Sequence, residues 1–319
     1  MVLINNLISI VIPVKDEQNT LKVLTERITG EVGKLHPAYS AEIIFIDDGS
    51  TDQSWDVMCD LVKDNQDIIS AIRFRRNCGK ALALEAGFRK AKGDIIFTMD
   101  ADLQDDPAEI PRFLHMLNNG LDMVSGWKKK RHDPISKTLP SKLFNKVTAK
   151  LTGVPLRDFN CGFKAYKREV IEVVNLYGEL HRFTPVLAYD YGFRVDELEI
   201  QHHPRKHGIS KYGWERYLRG LIDLITVIAT TRWLNKPGHF FGGIGFLTGL
   251  LGGCILAYLF ILWVFGFGPI GNRPLLTFGV LLTITSVQMI SLGIIAEFFI
   301  KTNKNDNLKD FISETIGEK

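Results

Sequence analysis

Three short polar stretches rich in carboxylates each follow a run of apolar, often β-branched residues. Pro13-Val14-Lys15-Asp16-Glu17 follows LISIVI, Asp47-Asp48-Gly49-Ser50-Thr51-Asp52 follows EIIFI, and Asp100-Ala101-Asp102-Leu103-Gln104-Asp105 follows IIFTM. Carboxylates gathered at one edge repel one another unless a cation sits among them, and a hard divalent ion with oxygen ligands meets that need. One Asp-x-Asp alone reads as a turn or cap; three acidic clusters after successive apolar runs do not. Asn77-Cys78-Gly79-Lys80-Ala81 lacks the earlier Gly and the Ser/Thr of a P-loop, and no G-x-G-x-x-G follows the first run. Lys80, near the start of a helix-like segment, still suits a phosphate, because an ammonium and a helix N-terminus both favour anions. His202, His203 and His207 lack a zinc spacing and read as surface or anion-binding residues. Cys59, Cys78, Cys161 and Cys254 form no C-x-x-C pair, as suits a reducing compartment.

The elements that must position these groups alternate regularly. Leu7–Pro13, Glu42–Asp47, Ile68–Phe74, Ile95–Asp100 and Leu121–Gly126 read as strands. Helix-like segments occupy about 18–35, 52–65, 79–91 and 107–118, with Pro107 suited to a first helical turn. This alternation predicts a mostly parallel, doubly wound α/β sheet, in which ligands bind beyond the C-terminal strand ends.

The composition excludes several classes and hides one feature. The 319 residues are 45% hydrophobic and 24% charged, which excludes a disordered chain, and a net charge of +3 is too weak to argue for nucleic acid. Phe240–Asn272 and Leu275–Ala296 carry no charged residue, and each supplies the roughly 20 apolar residues that cross a bilayer. Turn formers from Gly268 to Pro274 make the pair a hairpin. Lys and Arg flank both ends while the connecting loop carries only Arg273, which places the termini and the α/β part on the cytoplasmic side. Gly245, Gly249 and Gly253 recur every four residues, a small-residue face suited to self-association in lipid. Lys128–Arg131, Lys137, Lys142 and Lys146, interleaved with Leu139, Leu143, Phe144 and Val147, read as a basic interfacial helix. Tyr212–Asn235, with Trp214, Tyr217 and Trp233, reads as a second.

VIPVKDE, IIFIDDGSTD, RNCGKALALEAG and MDADLQDDP, in this order, resemble the family-2 inverting glycosyltransferases. DFNCGFK (158–164), RKHGISKY (205–212) and the hairpin narrow the resemblance to polyisoprenyl-phosphate glycosyltransferases, nearest to the bactoprenol-phosphate glucosyltransferase group. It implies a Rossmann-like, A-type nucleotide-sugar glycosyltransferase fold followed by interfacial helices and a two-helix transmembrane hairpin. It also implies that Pro13 and Glu17 line the nucleoside end, Asp47 contacts the base, and Lys80 and Asp100 belong to the donor site. Asp102 and Gln104 would bind Mg²⁺ or Mn²⁺, and Asp158 would act as base or acceptor-positioning group. Arg205, Ser210 and Lys211 would close over the phosphates. Gly126-Trp127-Lys128 departs from the family's Gly-x-Arg, and Arg131 stands close enough to take over the phosphate contact. Ala229 stands where the processive synthases carry Gln in QxxRW, which argues against chain elongation.

The reading therefore expects a cytoplasmic catalytic domain over 1–212, a juxtamembrane helix over 213–236, a hairpin over 237–301 with spans at 240–266 and 275–299, and a tail over 302–319. The reaction expected is inverting transfer of one sugar, with UDP-glucose first among donors, to undecaprenyl phosphate on the inner membrane, in cell-surface glycan modification. Mannose, N-acetylhexosamine and aminopentose donors are the alternatives, as is an inactive membrane scaffold. No nucleic-acid partner is expected, and a homo-oligomer would form through the spans.

Overall fold

The computed structural model describes residues 6–129, 135–174, 180–203, 215–229, 237–267 and 269–303. The apolar runs form β1 (Asn6–Val14), β2 (Tyr39–Asp47), β3 (Ile69–Arg73), β4 (Ile95–Thr98) and β5 (Met123–Trp127). Two further strands complete the sheet, β6 (Lys164–Lys167) and β7 (Val195–Glu199), in the order β3-β2-β1-β4-β6-β5-β7. β6 runs antiparallel to both neighbours, whereas the remaining pairings are parallel. Neither addition carries an apolar run: β6 reads KAYK and β7 reads VDELE.

Helices cover both faces. α1 (Leu21–Gly33), α2 (Ser54–Asp64) and α4 (Ile110–Asn118) contribute to one core with Ile8, Ile10, Ile12 and Phe45. α3 (Lys80–Lys90), α6 (Arg168–Val173) and α7 (Thr184–Asp190) contribute to the other with Val11, Ile44 and Ile46. Alternate residues of β1 and β2 thus enter opposite cores, and a strand buried on both faces must be apolar throughout. Pro107 opens a short 3-10 turn, Pro107–Glu109, leading into α4. α5 (Ile135–Thr152) leaves Leu143 65% exposed beside the exposed Lys142 and Lys146, and half-buries Phe144 against Phe183. α8 (Glu215–Ile228) buries Leu224 and Val227 and exposes Ile222 and Ile225. Lys137, Leu139 and Tyr217 have side chains outside the described residues, as do Trp214 and Trp233.

The chain divides into two compact units, and the second, from Ile228, contains α9 (Pro237–Val264) and α10 (Pro274–Asn303). At 28 and 30 residues, each exceeds the thickness of a bilayer core. Only 11% and 17% of their most apolar windows are buried, unlike the core helix of a soluble protein. The two pack antiparallel. A Cβ on Gly245 would lie 2.7 Å from Ile290, one on Gly249 2.5 Å from Ser286, and one on Gly252 2.8 Å from Thr283. Ser286 also donates its hydroxyl to the Gly245 carbonyl at 2.6 Å. The glycine face is thus used within the hairpin itself, with one change of residue. Gly245 and Gly249 are used inside the hairpin, their third partner is Gly252, and Gly253 has nothing within 4 Å. In a helix, i+7 returns to within about 20° of the starting face, whereas i+8 drifts by about 80°.

Candidate active site

β1, β2, β4 and β5 point their C-terminal ends to one sheet edge. Because β6 is antiparallel, its first residue arrives at that same edge, with Lys164 opposite Thr98 of β4 and Ser125 of β5. The site is therefore built from residues that follow the parallel strands and from the loop that precedes β6.

Much of the charge in the first two acidic clusters is spent on the chain itself. Asp16, at φ +52°, accepts the Thr51 N–H at 2.7 Å, while its own N–H donates to Ser50 Oγ at 3.0 Å. The Glu17 N–H donates to Ser54 Oγ at 2.8 Å, and Lys15 reaches the Gly49 carbonyl. Asp47 is fully buried; Oδ1 accepts the Ser50 N–H at 2.8 Å and Oδ2 lies 3.2 Å from Arg73 Nε. Asp48 accepts the Cys78 N–H at 2.6 Å and the Gly79 N–H at 3.0 Å, tying the β2 loop to the start of α3. Gly49 has φ +66°, and a Cβ there would lie 2.6 Å from the Arg76 backbone. Pro13, opposite Ile46, and Glu17 remain partly exposed at this end.

The third cluster follows β4 at the same edge. Burial opposes the Asp100 charge, but Lys80, in direct ion-pair contact, and Lys128 overcome it and hold its pKa at about 2. Gly162 makes the space for this group, since a Cβ there would lie 2.5 Å from Asp100 Oδ2. Two residues on, Asp102 is 8% exposed and accepts the Gln104 N–H at 3.2 Å. Between them Leu103 adopts φ +60° with its side chain buried, a left-handed conformation that costs a branched residue about 1–2 kcal/mol and is held by the surrounding core. Gln104 is held from the far side: its Nε2 donates to the His203 carbonyl at 3.4 Å and its own carbonyl accepts the His203 N–H at 2.9 Å. His203 also pairs with Asp106 at 3.0 Å, and the backbone of His202 pairs with that of Asp105 in an isolated antiparallel bridge. His207 lies outside the described residues.

Asp102 and Gln104 are hard oxygen donors separated by one residue, and no group of three or more His, Cys, Asp or Glu gathers as a metal cage among the described residues. A donor set of this size fits Mg²⁺ or Mn²⁺, which take one or two protein oxygens and complete their shell with water and phosphate oxygens.

Behind this loop lies an ion pair that sequence reasoning missed. Lys128 Nζ stands 2.7 Å from Oδ1 of the buried Asp105, whose Oδ2 has no hydrogen-bond partner among the described residues. Burial works against the Lys128 charge, but Asp105 outweighs it and holds the ammonium above the ordinary lysine range. Lys128, at the place of the Arg in the family's Gly-x-Arg, thus links the acidic loop to β5. Its backbone N–H lies 3.5 Å from Asp158 Oδ2, and the Asn160 N–H donates to Asp158 Oδ1 at 3.1 Å. Asp158 is 1% exposed, on a loop held by Asn145 of α5 through the Arg157 carbonyl at 2.9 Å and by Glu197 of β7 through the Arg157 N–H at 2.6 Å. Burial pushes the neighbouring Cys161 thiol up to about 12, so it stays neutral. Lys164, His181 and Arg182 line a recess beside Lys80 and Gly162, a second group that no strand-end rule would find. Arg131, Arg205, Ser210 and Lys211 lie outside the described residues.

The sequence profile described as Glycosyl transferase family 2 matches residues 9–174. The dodecaprenyl-phosphate galacturonate synthase of Rhizobium johnstonii is 38% identical over 305 residues, 94% of this chain and 89% of that protein. The undecaprenyl-phosphate 4-deoxy-4-formamido-L-arabinose transferase of Aeromonas hydrophila is 36% identical over 294 residues, 92% of this chain and 88% of its own. Among solved structures, glucosyl-3-phosphoglycerate synthase from Mycobacterium tuberculosis, with Mn²⁺, uridine diphosphate and phosphoglyceric acid, aligns with a TM-score of 0.53 at 17% identity. That alignment covers 71% of this chain and 78% of the other, and it makes the α/β unit a Rossmann-like, A-type glycosyltransferase fold.

Proposed function

Because the chain belongs to glycosyl transferase family 2, we propose that it moves one sugar from a nucleoside diphosphate sugar to a polyisoprenyl phosphate in a membrane. The observation that carries this reading is the pairing, in one chain, of the Asp100–Gln104 loop at a sheet edge with two apolar helices of membrane-spanning length. Similarity to two polyisoprenyl-phosphate sugar transferases over more than nine-tenths of the chain supports it. UDP-glucose, first from sequence, now stands beside nucleotide-linked galacturonate and formamido-arabinose, the sugars in those two names. The flanking Lys and Arg assign the α/β unit to the cytoplasmic side.

In this reading the bond from sugar C1 to the leaving diphosphate breaks as a lipid-phosphate oxygen attacks C1 from the opposite face. The nucleoside diphosphate departs, and the anomeric configuration inverts. Pro13 and Glu17 frame the nucleoside, while Asp47, expected from the resemblance to contact the base, is buried against Ser50 and Arg73 and fixes the loop beside it. Asp100 and Lys80 orient the donor, and Asp102 with Gln104 would hold Mg²⁺ or Mn²⁺. The metal, when bound, neutralises charge on the leaving group. The acceptor phosphate is already anionic, so Asp158 orients it or takes up a residual proton. Arg131, Arg205, Ser210 and Lys211 supply phosphate-binding cations and a hydroxyl.

Purified protein in detergent, given undecaprenyl phosphate and a panel of labelled nucleotide sugars, is expected to carry label into the organic phase with one donor class. No lipid-extractable label with any donor would favour the inactive scaffold. EDTA should stop transfer, and Mg²⁺ or Mn²⁺ restore it; full activity in EDTA would rule out a metal at Asp102 and Gln104.

Gly162→Ala probes the donor side. Its Cβ must displace the Asp100 carboxylate, which can swing aside, so the fold should survive. The donor KM is expected to rise about tenfold, the scale of one lost hydrogen bond to a charged group. An unchanged donor KM would separate Asp100 from donor binding.

A further inference from the structure

Lys164 opens β6 and is 3% exposed, yet among the described residues no carboxylate pairs with it. Its ammonium donates instead to two backbone carbonyls, that of Phe159 at 3.4 Å and that of His181 at 3.2 Å. The groups facing it are Cys161, Lys80, Asp158 and Asp100, and it shares a small recess with Tyr166, His181 and Arg182. That recess has room for about one water molecule.

Two segments therefore meet on one cation. Phe159 follows Asp158 directly and lies three residues before Gly162, which gives Asp100 its space. His181 is the middle residue of the turn Leu180–Arg182. A charged donor bonds a carbonyl about twice as strongly as a neutral one, so the contact depends on the proton that Lys164 carries.

We propose that Lys164 is a positioning residue for the transfer reaction: as an ammonium it pins the Phe159 and His181 carbonyls together and so sets the loop bearing Asp158 and the wall behind Asp100. The inference rests on the roles given to Asp158 and Asp100 above.

Burial lowers the Lys164 pKa to about 8, with Lys80 adding to that direction and Asp158 and Asp100 opposing it. The clamp is charged below that pH and lost above it. Stability moves the other way. Between about 8 and the ordinary lysine value of 10.5, the unfolded chain holds the proton and the folded chain does not, so the Lys164 contribution rises with pH. A fall in turnover without a fall in melting temperature thus separates positioning from scaffolding.

The test is a pH profile of kcat from about pH 6 to 10, with melting temperature at each point, using the best donor and undecaprenyl phosphate. In the wild type, kcat should fall about tenfold per unit above pH 8 while the melting temperature holds. Lys164→Arg keeps its charge throughout and should lose that alkaline limb while staying active. Lys164→Met should lower kcat about 10²-fold at neutral pH, with acceptor KM changing less. A wild-type profile without the limb, a limb unchanged in Lys164→Arg, or wild-type kcat in Lys164→Met would each overturn the proposal. If the Met variant fails to fold, the wild type and the Arg variant decide it. No lipid-linked product from the wild type would instead overturn the reading on which the proposal rests.

Discussion

Asp102→Asn is expected to lower sugar transfer by about 10³-fold or more while leaving the protein folded. The substitution keeps the side-chain volume and an oxygen that can accept the Gln104 N–H, now held at 3.2 Å, so the turn through Leu103 should persist. It removes a negative charge and, on the proposed reading, a hard anionic metal ligand from a group that is 8% exposed. A neutral amide oxygen binds a divalent ion far less well, and the leaving diphosphate then develops its charge uncompensated. Initial rates with saturating donor and acceptor, together with a thermal melt, check the result. Activity within about tenfold of wild type would remove Asp102 from the reaction, whereas loss of activity with an equal loss of folding would leave only a structural part for it.

Lys128→Met should have the largest effect on stability. It strips the cation from the buried Asp105 carboxylate, to which Lys128 now stands at 2.7 Å. Removing one partner of a buried pair costs about 3–5 kcal/mol, because the other charge is left without compensation. A drop of roughly 10 °C in melting temperature is expected for a domain of this size. Transfer should fall as well, because Asp105 anchors the loop that carries Asp102 and Gln104. Adding Asp105→Asn to Lys128→Met should recover much of the lost stability, and the double-mutant cycle measures the coupling. A melting temperature for Lys128→Met within about 2 °C of wild type would mean that the pair does not hold the loop.

Some of this site is written plainly in the sequence. β1 and β2 are buried on both faces, so they read as unbroken apolar runs that end in Asp16-Glu17 and Asp47-Asp48. β4 does the same for Asp100 and Asp102. The hairpin is legible because a surface facing lipid tolerates few charges over 20 or more residues. β6 and β7 are short and charged, so their places in the sheet escape a reading by periodicity. The antiparallel course of β6 also defeats the rule that chemistry follows strand ends. It delivers the residues before the strand, so Asp158 is reached through the family resemblance, and Gly162 and Lys164 carry no strand-end signal of their own.

Local pattern, then, determined the strand ends that bear carboxylates, the two membrane-length helices and the family. Tertiary structure decided which of those carboxylates are spent on backbone N–H groups, that Lys128 turns to Asp105, and that Gly252 rather than Gly253 faces α10. Periodicity reports on a residue's near neighbours along one element. Pairings such as Asp48 with Cys78, Lys128 with Asp105 and Lys164 with His181 join residues 17 to 30 positions apart, and they form only once the packed sheet has brought its loops to one edge.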